Sequence, residues 1–130
     1  MKLLDTSVAI DHLRGYARAT TLLEELLRAD EAVAASELTR FELLAGVRPS
    51  ELTALETFFL AFDWVPVTED IARRAADYAR AYRRSHSGVG AADYLIAGTV
   101  AVLDMQLLTT NVRHFPMFES LQAPYPYEGS

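Results

Sequence analysis

Short apolar runs that each end at helix-capping residues constrain this chain more than any other feature of its sequence. The first run, residues 2–4, stops at the Asp-Thr-Ser triplet of residues 5–7, and the second, residues 31–35, stops at Ser36. Apolar residues at helical spacing follow each stop, and Asp, Ser and Thr are preferred N-caps. Strands that alternate with helices predict a mainly parallel central sheet covered on both faces. The expected fold class is therefore α/β, a three-layer α/β/α sandwich.

The rest of the chain continues this alternation. Helices are expected to end near residues 15, 30, 46, 62, 84 and 103, with brief strands at 64–67 and 105–108. The third helix is capped by Ser36 and carries Leu38, Phe41 and Ala45 on one face. The glycine- and serine-rich segment 85–90 predicts a loop. We expect one domain over 1–130, with an irregular tail at 119–130 apart from a short strand near Leu121.

Chain length and composition exclude several kinds of protein. With 130 residues and 51% apolar side chains, the chain has the size and composition of one domain with a packed core. The absence of cysteine excludes disulfides and cysteine zinc sites. No apolar run approaches the roughly eighteen residues of a transmembrane helix, and Asp5 interrupts any signal-peptide core. We therefore expect a soluble, cytoplasmic protein that makes no membrane contact.

The net charge of −6 argues against a surface that binds nucleic acid by overall charge. Local phosphate contacts remain compatible with it, and the fifth predicted helix, 68–84, carries a stripe of charged residues. Asp77 in this stripe is expected to pair with Arg73, its neighbour one helical turn earlier. The stripe is either a solvated face or a set of phosphate contacts. Its candidates for phosphate contact are Arg73, Arg80, Arg83 and Arg84.

Three acidic residues are hard to explain by structural roles alone. Asp5 follows the first strand, and Glu42 lies on or beside the apolar face of its helix. Asp93 is the only charged residue between Ala91 and Leu103. Each has a plain alternative role, since Asp5 can cap a helix, Glu42 can extend to the edge of the core, and Asp93 can interact with the helix dipole. The topology nevertheless brings all three to the carboxyl edge of the sheet, where ligands bind in open α/β folds.

Carboxylates gathered at one edge require a positive partner. Two of them about 4 Å apart repel each other by about 4 kcal/mol at an effective dielectric constant of about 20. Because the candidate ligands are carboxylates and the chain has no cysteine, Mg²⁺ or Mn²⁺ is favoured over zinc. A cation held in this way polarises a phosphodiester and activates water, so the chemistry needs no nucleophilic side chain.

Four blocks of sequence, taken together, resemble the PIN domain family. They are MKLLDTSVAI at 1–10, ELLAG at 42–46, GAADYLIA at 90–97 and LLTTNVRHF at 107–115. The resemblance covers residues 1–118 and is strongest to the VapC-type toxins of toxin–antitoxin pairs. It implies a metal-dependent endoribonuclease that cleaves cellular RNA and is neutralised by a cognate VapB-like antitoxin. A homodimer is also expected from the resemblance.

The same resemblance implies particular site residues. Asp5, Glu42 and Asp93 correspond to the catalytic acids, and Asp5 and Asp93 are the expected ligands of Mg²⁺ or Mn²⁺. Thr6 and Thr109 match hydroxyl positions that support such a site by holding carboxylates or water. Each threonine is equally well explained as an ordinary helix cap or strand-end residue.

The last block departs from the family pattern. Many members carry a fourth acid after the strand that corresponds to residues 105–108, and another aspartate three residues later. This chain has Asn111 and His114 at these positions. Asn111 is a supporting candidate because its neutral oxygen can face metal or water, although a turn residue needs no such role. Three carboxylates in place of four favour one firmly held Mg²⁺ over a pair. Neither His114 nor His86 is expected to take part in the chemistry.

Other acidic α/β proteins fit the sequence less well. A phosphorelay receiver domain needs a lysine near its pocket, and the only lysine here is Lys2. A haloacid-dehalogenase-like phosphatase needs an aspartate two residues after its nucleophile, where this chain has Ser7. The remaining alternative to the enzyme is a catalytically weak PIN-type module that binds RNA or regulates, because Asn111 replaces an acid.

Overall fold

A computed structural model describes residues 1–126, which form a four-stranded parallel sheet and six α-helices. The strands are β1 (Lys2–Leu4), β2 (Val33–Ser36), β3 (Asp63–Val65) and β4 (Gln106–Leu108). The helices are α1 (Thr6–Leu13), α2 (Ala17–Arg28), α3 (Glu37–Gly46), α4 (Leu52–Phe59), α5 (Glu69–Tyr82) and α6 (Ala91–Leu103). Two 3₁₀ turns, Pro49–Glu51 and Val112–His114, complete the order.

The register of the sheet brings three strand ends to one level. The strand order is β3-β2-β1-β4, and Leu4 of β1 lies opposite Ala35 of β2 and Leu108 of β4. The Asp5 amide then donates a hydrogen bond of 2.9 Å to the Leu108 carbonyl oxygen. The residues that follow β1 and β4, Asp5 and Thr109, therefore meet at the carboxyl edge, as parallel pairing requires.

Successive residues of β1 point to opposite faces of the sheet and enter two separate cores. Leu4 packs with side chains of α1 to α4, whereas Leu3 packs with Ile96 and Val100 of α6 and with Phe115. Both leucines are fully buried. Helices on both faces of a parallel sheet confirm the predicted three-layer α/β/α sandwich.

Helices α5 and α6 approach each other closely at Gly98. A Cβ atom at this position would lie 2.7 Å from the carbonyl oxygen of Ile71 and 3.0 Å from the amide nitrogen of Ala75. Ile71 and Ala75 are the buried residues of α5. Only glycine allows the two backbones to come this close.

The predicted inner face of α3 is wrong by part of a turn. Phe41 was expected among the inward residues but is 67% exposed, and Thr39 and Leu43 are the buried residues of the helix. The Ser36 side chain caps the helix as predicted, accepting a 3.1 Å bond from the Leu38 amide. Because the cap fixes where the first turn starts, it also sets which face meets the sheet, and apolar spacing alone did not predict that phase.

The charged stripe of α5 pairs differently from the prediction. Arg73 contacts Glu69, with 2.8 Å between Nε and Oε2, and Asp77 pairs with Arg80 one turn later. The expected Asp77–Arg73 pair is therefore wrong. Arg73 has a carboxylate one turn before it and another one turn after it, and it pairs with the acid that precedes it; Arg80 has an acid only on the preceding turn.

The predicted strand near Leu121 is also wrong, because residues 115–126 contain no strand. This segment is held by a side chain instead. The Tyr125 hydroxyl donates a 2.7 Å bond to Oδ2 of the buried Asp11. Residues 127–130 of the predicted irregular tail lie outside the described residues. No helix within the described part of the chain is long and apolar enough to cross a membrane.

Candidate active site

Asp5 stands at the N-cap position of α1 but does not use its side chain as a cap. The carboxylate is held by hydroxyl groups instead: Oδ2 accepts bonds from Thr109 Oγ1 at 2.7 Å and from Ser7 Oγ at 3.0 Å. The residue is only 6% exposed. A buried acid whose carboxylate is bound by a hydroxyl from α1 and by another from the end of β4 does more than cap its helix, which favours a site over the capping alternative.

Glu42 reaches the same edge from α3. Its Oε1 accepts a 2.9 Å bond from the hydroxyl of Thr6, the residue next to Asp5. The Thr6 hydroxyl also lies 3.0 Å from that of the buried Thr39. Glu42 is exposed as a residue, but its carboxylate is directed to the start of α1. Thr6 thus contacts one of the predicted acids, as a supporting residue would.

Asp93 lies in the first turn of α6, with its side chain 23% exposed. Its Oδ2 accepts a bond of 3.1 Å from the Gly90 amide, which is the capping role that the plain alternative describes. The same oxygen is 3.2 Å from Nδ1 of His114. The carboxylate is thereby fixed from two sides, by the helix start and by the turn that follows β4.

The electrostatics link these three carboxylates. Burial raises the pKa of Asp5, the hydrogen bonds from Thr109 and Ser7 lower it, and the negative charge of Asp93 raises it further, so that the pKa ends above its ordinary value. Partial desolvation also raises the pKa of Glu42; the Thr6 bond opposes this rise, and the charges of Asp5 and Asp93 add to it. Mutual repulsion of this kind indicates acids that share one environment. Acids whose pKa values are raised by burial and by one another's charge mark a candidate functional site.

Thr109 connects Asp5 to the segment after β4. It is fully buried, and besides bonding Asp5 its Oγ1 accepts a 3.0 Å bond from the Asn111 amide. Asn111 itself is exposed and takes part here through its backbone, and its side chain makes no hydrogen bond within residues 1–126. The predicted supporting position of Thr109 is thus in contact with the central acid, whereas the exposed Asn111 side chain makes no hydrogen bond with that acid within residues 1–126.

Sequence reasoning missed two hydroxyls and one contact at this edge. Ser7 was assigned to helix capping, yet it bonds Asp5 and accepts a 3.1 Å bond from the Thr110 amide. One signal was available, since a helix needs a single N-cap and the Asp-Thr-Ser triplet offers three. Neither the Thr39 contact nor the pairing of His114 with Asp93 has a signal in the spacing, because both depend on how α3 and the last 3₁₀ turn are placed.

The donor chemistry of this edge fits a hard divalent cation. The carboxylate oxygens of Asp5 and Asp93 are the ligand type that Mg²⁺ and Mn²⁺ prefer. Within the described range, no three His, Asp or Glu side chains converge closely enough to hold an ion between them. Mg²⁺ is commonly bound through one or two carboxylates while it keeps several waters, so two protein ligands suffice.

Comparison with known proteins places this chain in a family. A model of the PIN domain family matches residues 2–117. Ribonuclease VapC19 of Mycobacterium tuberculosis is 63% identical over 125 residues, which cover 96% of this chain and 100% of the relative. Ribonuclease VapC10 of the same organism is 46% identical over 129 residues, which cover 99% of this chain and 96% of the relative.

Solved structures share the fold. A toxin-antitoxin complex from Klebsiella pneumoniae matches with a TM-score of 0.81 at 23% identity, covering 98% of this chain and 100% of that chain. FitAcB from Neisseria gonorrhoeae matches with a TM-score of 0.72 at 27% identity, covering 88% and 91%. Since the family model spans nearly the whole chain and curated relatives align over almost their full length, this chain belongs to the PIN domain family.

Proposed function

We propose that this chain is a metal-dependent endoribonuclease, the toxin of a toxin–antitoxin pair. The observation that carries the proposal is Asp5, a buried carboxylate held by two hydroxyls and subject to the charge of Asp93. The names of the relatives support it, because proteins 63% and 46% identical to this chain are ribonucleases of the VapC type.

Asp5 and Asp93 are the residues that would hold Mg²⁺ or Mn²⁺. When bound, such a cation polarises a phosphodiester and lowers the pKa of water. Thr109 and Ser7 fix the orientation of Asp5 for that task. His114 and the Gly90 amide do the same for Asp93.

Glu42 is suited to a proton-transfer role in this site. Its carboxylate is oriented by Thr6, and its raised pKa brings it closer to the range in which a carboxylate exchanges protons near neutral pH. An exposed position leaves the group accessible to water and substrate. The three acids thus divide the work: two bind the cation, and the third accepts and returns a proton.

The proposed partners follow from the charge of the site and from the neighbours. The neighbours include a toxin-antitoxin complex and VapBC complexes. A basic segment of a VapB-like antitoxin is complementary to the carboxylates of Asp5, Glu42 and Asp93, and it would compete with the cation or with RNA. We place the toxin in the cytoplasm, where its RNA is, and we expect it to be a homodimer.

Purified protein incubated with total cellular RNA tests the proposed function. Cleavage is expected in Mg²⁺ or Mn²⁺, with loss of cleavage when a chelator is added and when the antitoxin is added. A protein that binds RNA without cutting it under either metal is the catalytically weak module. That result would overturn the proposed ribonuclease activity.

An acid at position 111 should strengthen cation binding. Asn111 follows Thr109 by two residues, and its amide bonds the same hydroxyl that bonds Asp5. In Asn111→Asp, one more carboxylate near the site should tighten Mg²⁺ binding about tenfold, since that corresponds to an interaction of about 1.4 kcal/mol. Calorimetric titration measures this directly. Asn111→Ala is the control and should leave the affinity near that of the parent; equal or weaker affinity in Asn111→Asp would mean that this side chain faces away.

A further inference from the structure

The arginines of α5 differ in whether their charge is already neutralised. Arg73 is paired with Glu69, and Arg80 with Asp77. Arg83 and Arg84, which follow the end of the helix, are exposed and have no carboxylate at ion-pair distance among residues 1–126. Arg74, earlier on α5, is likewise exposed and has no carboxylate at ion-pair distance in the described part of the chain. Arg83 and Arg84 differ from it in being adjacent and in standing at the end of the helix that leads into α6.

A short chain of hydrogen bonds connects that end to the site. The His86 amide donates to the Tyr82 carbonyl at 2.8 Å, and the Val89 amide donates to the His86 carbonyl at 3.1 Å. The next amide, that of Gly90, bonds the Asp93 carboxylate at 3.1 Å. One last helical turn and one tight turn thus lead from Arg83 and Arg84 to the amide that bonds Asp93.

Arg113 lies on another segment that reaches Asp93. It directly precedes His114, whose Nδ1 is 3.2 Å from the Asp93 carboxylate, and it is exposed. Within the described chain Arg113 also has no carboxylate at ion-pair distance. Arg83, Arg84 and Arg113 together are called the arginine flank.

We propose that the arginine flank binds phosphates of the RNA strand beside the one that is cleaved, a role that rests on the proposed ribonuclease function. A chain with a net charge of −6 and three carboxylates at its site repels RNA, so the substrate needs local positive charge to approach. Guanidinium groups supply it well, because they bind phosphate oxygens in a two-pronged geometry. Such contacts position the strand and carry no sequence information.

RNA fits the flank better than an acidic protein segment does. The flank is connected to Asp93 through the segment that leads into α6 and through His114, so a polyanion whose phosphate is the reacting group has a reason to lie there. An acidic peptide placed there would meet the same repulsion without a compensating reaction. The flank residues are therefore positioning residues, and they should act on substrate binding and not on the chemical step.

The test compares two double variants of equal charge. Arg83→Gln with Arg84→Gln removes two charges from the flank. Arg14→Gln with Arg18→Gln removes two charges from exposed arginines near the far end of α1 from Asp5. Each lowers the net charge by two, so any difference between them reports position and not overall charge.

Binding of a short mixed-sequence single-stranded RNA is measured against salt for both pairs in an Asp5→Asn background, which keeps the RNA uncut. The flank variant should weaken binding on the order of tenfold, as loss of charged hydrogen bonds does. Its plot of log affinity against log salt should become shallower by about 1.4, or about 0.7 for each lost phosphate contact. The control pair should keep the parent slope. With active Asp5, the flank variant should raise KM and leave kcat unchanged.

Several outcomes separate the flank from the proposed function. The parent protein could cleave RNA while the flank and control variants bind RNA equally well. That result would overturn the proposed RNA-binding role of the flank and leave the ribonuclease function intact. An effect on antitoxin binding without an effect on RNA binding would also overturn that role, in favour of an acidic protein contact. The parent protein could also cut no RNA while the flank variant still binds RNA more weakly and with a smaller dependence on salt. That result would contradict the proposed ribonuclease activity and support RNA binding by the flank.

Discussion

Replacing Asp5 with asparagine should slow RNA cleavage by more than about a hundredfold, which exceeds the usual cost of losing a supporting partner of a metal ligand. The substitution removes the charge and keeps the volume, and the asparagine oxygen can still accept the bonds from Thr109 and Ser7. The fold should therefore survive. Cleavage rates of the two purified proteins, measured at the same Mg²⁺ concentration, give the comparison.

The same substitution should raise the melting temperature of the metal-free protein at neutral pH. Because burial and the charge of Asp93 hold the pKa of Asp5 above its ordinary 3.8, the folded state binds this proton more tightly than the unfolded state does. The free energy of unfolding then falls as pH rises from the unfolded pKa through the raised folded pKa. Thermal melts across this range should show that fall in the parent and a flatter profile in Asp5→Asn.

Asp11→Asn is the matched control for both effects. Asp11 is also a buried aspartate of the N-terminal region, but its Oδ2 accepts a bond from Tyr125, away from the site. It should keep its cleavage rate. Undiminished cleavage by Asp5→Asn, or equal losses in both variants, would mean that Asp5 has a structural role alone.

Replacing Gly98 with alanine should lower the free energy of unfolding by about 2 kcal/mol. The new Cβ would meet the Ile71 carbonyl oxygen at 2.7 Å and the Ala75 amide nitrogen at 3.0 Å, and backbone atoms cannot turn aside. Overpacking of this kind costs up to about 3 kcal/mol, and the better helix propensity of alanine returns about 1 kcal/mol. For a domain of this size, a loss of about 2 kcal/mol lowers the melting temperature by roughly 8 °C.

Gly46→Ala is the control for the change of helix propensity. Gly46 is the last residue of α3, and a Cβ there would meet no atom within 4 Å. This substitution should be neutral or slightly stabilising in the same thermal melt. If Gly98→Ala is equally harmless, helices α5 and α6 must be able to separate at no cost, and the close contact is not a constraint.

The sequence predicted those contacts of the candidate site that depend on strand ends. Asp5 and Thr109 follow strands that pair in parallel, so topology alone brings them together, and their 2.7 Å bond confirms it. Asp93 was identified because α6 is apolar on every side and leaves no other face for a charge. Periodicity and topology are sufficient for these two conclusions.

Contacts that depend on helix rotation or on loop paths were not predictable in the same way. The inward face of α3 is set by the Ser36 cap, so Phe41 points out and Thr39 points in. The pairing of His114 with Asp93 depends on the turn after β4, and the placement of the tail depends on the bond between Tyr125 and Asp11. Such choices follow from tertiary packing, which the spacing of residues does not encode.

The most direct test of the account is RNA cleavage by Asp93→Asn across a Mg²⁺ titration. Asparagine keeps an oxygen acceptor for the Gly90 amide and for His114, so the capping role of this side chain survives and only the charge is lost. If Asp93 binds the catalytic cation, the variant should fold normally and show almost no cleavage at any Mg²⁺ concentration at which the parent is active. Cleavage at the parent rate, with the parent dependence on Mg²⁺, would show that Asp93 is only a helix cap and would contradict the assigned active site.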